Sequence, residues 1–232
     1  MNDIITIVYC YIPGITNDES LILSLRSLRL LDFDFEVVIA GSKPEWLSDE
    51  CKVIDAPCED KVDLLKLVID SGLVSECFIW MPDNVHIISP VSIHDIAMLK
   101  KNGYLEPDCK VRDNTIKALK DRNLATYNFC TNTPYFLSKD SFVRVFEEFN
   151  DRKEYDFISL FYNFCAPLYT ALNLDFRRDN ICLPIISKDV NPESLKKYSA
   201  DKKFIHNSSL APTVTDFLLK RFPTVSIYEK ED

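Results

Sequence analysis

The chain has 232 residues, 47% of them hydrophobic and 27% charged, which supplies a buried core and excludes a disordered chain. Four glycines and twelve prolines exclude collagen-like and flexible-linker chains, and no GxGxxG or Walker-type run is present. A formal net charge of -9 disfavours a surface built as a whole to grip nucleic-acid phosphates, though it leaves room for a local basic groove.

Met1-Asn2-Asp3 opens straight into apolar sequence without a basic leader. The run that follows is far shorter than the roughly 20 residues needed to cross a bilayer. The expectation is a cytoplasmic protein with no membrane span. Residues 4–11 are a continuous β-rich run of the kind buried on both faces of a sheet, ending at the turn Pro13-Gly14. Asn17-Asp18-Glu19-Ser20 offers caps for a helix that carries Leu21, Leu25, Leu28 and Leu31 on one face. Residues 35–40 read as a second strand, stopped by Gly41-Ser42-Lys43-Pro44, and 52–54 as a short third. Residues 60–70 read as a helix closed by Gly72, and 77–81 as a fourth strand.

This alternation predicts right-handed crossovers and a mostly parallel sheet covered by helices, with 4–11, 35–40 and 77–81 as neighbouring parallel strands. Ligands of such sheets sit beyond the carboxyl ends of the strands. Those ends are residues 11–15, with Tyr11, Pro13 and Gly14, then 41–43, 55–61 and 82–86. Beyond residue 90 the pattern is less regular. Helices are expected at 115–122, 139–150, 192–197 and 212–221, with an aromatic-rich segment at 155–169. With neither internal repeat nor linker, the chain reads as a single α/β domain, 1–232.

The eight cysteines occur singly and no CxxC pair exists, so buried reduced thiols are expected rather than a zinc or redox site. The sharpest chemical feature is Phe78-Ile79-Trp80-Met81-Pro82-Asp83-Asn84, an apolar strand that delivers an acid and an amide at its end. Such oxygen donors suit a hard divalent cation, and Pro-Asp-Asn is equally ordinary turn chemistry.

This stretch resembles the GT-A-fold glycosyltransferases, in particular short bacterial and phage proteins related to capsule-type sugar transferases. In that family a hydrophobic strand ends in an Asn-Asp-Asp or Asp-x-Asp motif. Other parts match in order. Ser24-Leu25-Arg26-Ser27 is similar to the first-helix Ser-Leu-Arg-Ser signature. Gly41, Lys43-Pro44 and Trp46-Leu47 resemble the exit of the second strand, and Asp60-Lys61 the lysine-bearing helix start that faces the donor. Lys203-Phe204-Ile205-His206-Asn207, Phe217-Leu218, Arg221-Phe222-Pro223, Ser226 and Tyr228-Glu229 resemble the closing segment.

The resemblance implies a three-layer sandwich and sugar transfer from a nucleotide-sugar donor with Mn²⁺ or Mg²⁺. It implies a nucleotide-sugar-binding half at 1–90 and an acceptor-side half at 91–232, the acceptor being a glycan, a protein or modified DNA. Asp83, Asn84 and His206 are the implied metal ligands. Tyr11, Pro13, Gly14, Arg26, Lys61 and Asp83 are the implied donor-binding residues, with Lys61 or Arg26 offsetting diphosphate charge. Asp108, Asp113 and Asp156 are candidates for the base that an inverting enzyme needs.

There are departures from the pattern. Asn84 stands at the second acid and Pro82 at the preceding Asn. Ile22 replaces an arginine of the first helix, and Thr131-Asn132-Thr133-Pro134 lacks the histidine of a Thr-His-x-Pro segment. A catalytically impaired binding or structural protein and a sugar-phosphate transferase are therefore the alternatives. His86 is expected to be structural and Cys130 to be a buried thiol without a nucleophilic role. The aromatic cluster Tyr155, Phe157, Phe161, Tyr162, Phe164 and Tyr169 is expected in the core, and Lys196-Lys197 with Lys202-Lys203 on a solvated surface.

Overall fold

The computed structural model describes residues 4–149, 154–165 and 171–230. The first half runs β1 (Ile5–Tyr11), α1 (Asp18–Ser27), a 3₁₀ turn (Leu28–Leu30), β2 (Phe35–Gly41), β3 (Lys52–Asp55), α2 (Lys61–Asp70), β4 (Cys77–Trp80) and β5 (Val85–Ile87). It continues with α3 (Ile93–Ala97), β6 (Lys100–Lys101), α4 (Lys110–Lys120), β7 (Tyr135–Ser138), α5 (Lys139–Glu148) and α6 (Phe157–Cys165). The last elements are β8 (Leu172–Asn173), β9 (Cys182–Ile185), α7 (Pro192–Ser199), β10 (Phe204–Asn207) and α8 (Pro212–Arg221).

The central sheet has the order β3-β2-β1-β4-β7. The first four strands are parallel, as their apolar continuity predicts, and β7 closes the edge antiparallel to β4. Period-2 alternation sends the two faces of β1 into different cores. Val8 and Cys10 pack with Leu64, Leu65 and Val68 of α2 and with Phe142, Leu160 and Phe161 of α5 and α6. Ile7, Tyr9 and Tyr11 pack with Leu21, Leu25 and Leu28 on the α1 side. Leu23 lies on another face of α1 and joins a third cluster with Leu195, Val214 and Leu218 of α7 and α8. Thus α1 is buried between the central sheet and a second, three-stranded sheet of order β5-β10-β9.

Three expectations need correction. The helix expected at 115–122 begins at Lys110 and ends at Lys120, because its start at Cys109 has no side-chain cap to announce it. The aromatic segment contains helix α6, whose residues Phe157–Phe161 are all buried. Lys196 and Lys197 of the basic patch are exposed as expected, but Lys202 and Lys203 are not on a solvated surface. Lys202 is 3% exposed with its ammonium on the Asp179 carbonyl, and Lys203 pairs with Asp95. Asn150 and Tyr169 lie outside the described residues.

Candidate functional site

The carboxyl ends of β1, β2 and β4 meet the start of α2. Gly41 ends β2 at φ +112°, and a Cβ there would fall 2.0 Å from the Tyr11 carbonyl oxygen, so only glycine lets the two strand ends approach this closely. Tyr11 is buried at the end of β1. Burial, with a hydrogen bond to the Asp18 carboxylate, pushes its phenol up to about 12. Pro13 and Gly14 form an exposed turn in which Ile15 and Thr16 donate to the Ile12 carbonyl at 3.0 and 2.8 Å. The buried Thr16 hydroxyl fixes that turn, accepting from the Ile12 amide and donating to the Cys10 carbonyl.

Asp60 caps α2, its carboxylate accepting from the Val62 and Asp63 amides at 2.8 and 3.1 Å. Lys61 is therefore the first helical residue. Its carbonyl accepts the Cys10 thiol at 3.5 Å, which ties the helix start to the end of β1. The Lys61 ammonium lies 2.7 Å from Asp83 Oδ1, with the lysine side chain 32% and the aspartate side chain 12% exposed.

Asp83 sits in the turn between β4 and β5, where the Val85 amide donates to the Pro82 carbonyl at 3.1 Å. A ladder of serines on α1 positions this turn. Ser20 Oγ donates to the Asp83 carbonyl at 3.1 Å, Ser24 Oγ to the Val85 carbonyl at 2.7 Å, and Ser27 Oγ accepts from the Ile87 amide at 3.0 Å. These serines were not read as positioning groups from sequence. Their i, i+4, i+7 spacing on one helix face is the signal that points to them.

His206 lies on β10 opposite Val85, and the Asn207 amide donates to the Asn84 carbonyl at 2.9 Å. His206 Nδ1 is buried without a hydrogen-bond partner among the described residues. Burial brings its pKa down to about 4, against an upward pull from the Asp83 carboxylate, so the imidazole is neutral near pH 7. His86 is paired with Ile205 and therefore points to the opposite face of the small sheet from His206. It is 1% exposed, its Nδ1 is also unpartnered, and burial brings it down to about 3. Among the described residues no group of three His, Cys, Asp or Glu side chains is close enough to hold a metal ion.

Arg26 is not brought to the diphosphate position expected of it. Its Nε and Nη2 bind Glu229 at 2.9 and 2.6 Å, and Nη1 donates to the Phe222 carbonyl at 3.2 Å. The guanidinium clamps the closing segment onto α1, with all three of its nitrogens engaged. Ser226 adds two hydrogen bonds to Glu229 from its amide and hydroxyl.

The base candidates are distributed among other contacts. Asp108 pairs with Arg112, and Asp113 lies in the first turn of α4. Asp156 accepts from the Ser159 amide at 3.1 Å and from the Cys130 thiol at 3.2 Å. Burial and that carboxylate push the Cys130 thiol far above its ordinary value, which suppresses the thiolate a nucleophile needs. Thr131 and Thr133 are buried and bond each other at 2.9 Å. All eight cysteines are free, as expected, but only Cys10, Cys51 and Cys182 are buried; Cys58, Cys77, Cys130 and Cys165 are half-buried and Cys109 is exposed. No helix among the described residues is long and apolar enough to cross a membrane.

No family model and no curated protein sequence matches the chain. Solved structures do match. The glycosyltransferase GlyE of Streptococcus pneumoniae TIGR4 superposes with a TM-score of 0.52 at 8% identity, covering 96% of this chain and 61% of that one. The galactosyltransferase LgtC, solved with donor and acceptor sugar analogues, gives 0.48 at 10% identity over 96% and 98% of the two chains. A glycosyltransferase that acts in glycosylation of the major capsid of PBCV-1 gives 0.44 at 12% identity over 93% and 98%. Such identities speak to fold alone. The chain has the glycosyltransferase fold of GT-A type.

Proposed function

We propose that this chain is a glycosyltransferase that takes a sugar from a nucleotide-sugar donor, with the donor diphosphate held where Lys61 meets Asp83. The observation that carries this reading is the Lys61–Asp83 pair at the carboxyl edge of a parallel sheet, where α/β folds bind their ligands. Sugar transfer leaves a nucleoside diphosphate behind, and the developing charge on that leaving group must be met by fixed positive charge. The Lys61 ammonium supplies it. The Tyr11 strand end and the Pro13-Gly14 turn border the same edge, and residues 91–232 form the acceptor side.

The Mn²⁺ or Mg²⁺ that the family resemblance implies is a poor match to the donor set. Asp83 is the one carboxylate of the three implied ligands, and its charge is already compensated by Lys61. Asn84 offers a neutral amide and His206 a nitrogen that hard cations bind weakly.

The test is a thermal-shift panel of nucleotide-sugars against matched free sugars, run with Mn²⁺ present so that the result does not depend on the cation. A rise in Tm with at least one nucleotide-sugar and none with its free sugar is expected. An unmoved Tm across the panel contradicts the reading. A second reading, binding without turnover, draws on the engagement of Asp83 by Lys61 and of Asp108 by Arg112, which leaves neither free as a base. Stabilisation by a nucleotide-sugar with neither hydrolysis nor transfer would favour it.

A further inference from the structure

We infer that the Lys61 ammonium takes the place of a divalent cation, so that this chain binds nucleoside diphosphates without a metal ion. The inference rests on the nucleotide-sugar reading above and deepens it.

Charge balance is the first argument. Two carboxylates balance the charge of a divalent cation at a diphosphate site, where one or two acids together with the phosphates hold the ion. Here the turn supplies one carboxylate, Asp83, followed by the neutral Asn84. One carboxylate with one ammonium is again neutral. The number of acids thus fits a monovalent resident cation and is one short for a divalent one.

Placement is the second argument. The ammonium is not a loose surface charge, because Lys61 is the first residue of a helix capped by Asp60 and pinned to β1 through Cys10. Asp60 is committed to the Val62 and Asp63 amides, and Lys61 turns to Asp83. The aspartate is fixed in its turn by Ser20. An ammonium carries three donors, and Asp83 Oδ1 takes one at 2.7 Å. The lysine side chain remains one-third exposed, so its other N–H groups have access to an anion at the strand ends. Arg26, the other cation expected here, is locked on Glu229 and does not compete for the role.

The test is calorimetric titration of the full chain with UDP, GDP, CDP and ADP, each in EDTA and each in Mn²⁺. At least one diphosphate is expected to bind in EDTA with an affinity within about threefold of that in Mn²⁺. Lys61→Met is expected to weaken the EDTA titration by about tenfold or more, and Lys61→Arg to retain it, since the guanidinium is also a phosphate-binding cation. Binding that appears only with Mn²⁺ overturns the inference and leaves the donor reading standing. Unchanged EDTA affinity in Lys61→Met, with a wild-type melting curve, also overturns it and makes the ion pair a purely structural contact. Absence of diphosphate binding in both conditions removes the donor reading itself, and this inference with it.

Discussion

At the residue scale, the two histidines of the small sheet make stability depend on pH in a definite direction. Burial lowers His206 to about 4 and His86 to about 3, from 6.5 in an unfolded chain. Between those values and 6.5 the unfolded state binds more protons than the native state, so stability falls as pH falls through this window. The slope approaches about 1.4 kcal/mol per pH unit for each histidine. Asp95 and Glu229, whose carboxyls are held below their ordinary range, add to the loss at the acid end. Denaturant midpoints at pH 7 and pH 5 measure this, and equal midpoints contradict it. Asn84 makes a second prediction. Asn84→Asp adds a carboxylate beside Asp83, so it should raise Mn²⁺ affinity and weaken diphosphate binding in EDTA. Titrations of wild type and variant read both, and no change in either contradicts the charge argument.

At the scale of elements, helix α1 is the part that aims the site. Its leucines fill two cores, while Ser20, Ser24 and Ser27 hold the β4–β5 segment in register. Ser24 is fully buried and bonds both the Val85 carbonyl and the Tyr9 hydroxyl, the latter at 2.9 Å. Ser24→Ala leaves both groups without that partner and should cost about 1–3 kcal/mol. Ser20→Ala removes a bond nearer the surface and should cost less. Chemical denaturation of the two variants tests the order, and the reverse order contradicts the ladder. Strands β1, β2 and β4 were legible in sequence because most of their residues are apolar and buried in the sheet, whereas β3 is a short edge strand with exposed, charged ends. The serines were legible as a motif but not in their role, since their partners are backbone groups about sixty residues away.

At the scale of the molecule, an ion pair joins the closing segment to α1, beside hydrogen bonds between that segment and residues 46–48. Arg26 and Glu229 are 203 residues apart in sequence, which is why a reading of local motifs placed the arginine at the donor instead. Helix α6 escaped for a different reason: its aromatic and β-branched residues have weak helix propensity. Lys202 escaped because its partner is a carbonyl, which composition cannot reveal. The half containing the candidate site was the more legible one, since caps, turn residues and apolar runs there are all local. Arg26→Met leaves Glu229 with Ser226 as its remaining partner and should cost about 3 kcal/mol, with faster amide exchange in the closing segment. Diphosphate affinity should be unchanged in the folded variant. Loss of affinity without loss of stability would return Arg26 to the donor site.

The position of the diphosphate is the centre of this reading, and a crystal structure of the chain with a bound nucleoside diphosphate locates it directly. A phosphate oxygen is expected about 3 Å from Lys61 Nζ, beside Asp83 and the ends of β1 and β4. A diphosphate seated elsewhere, for example on Arg177 and Arg178, with the Lys61–Asp83 pair undisturbed, would contradict it.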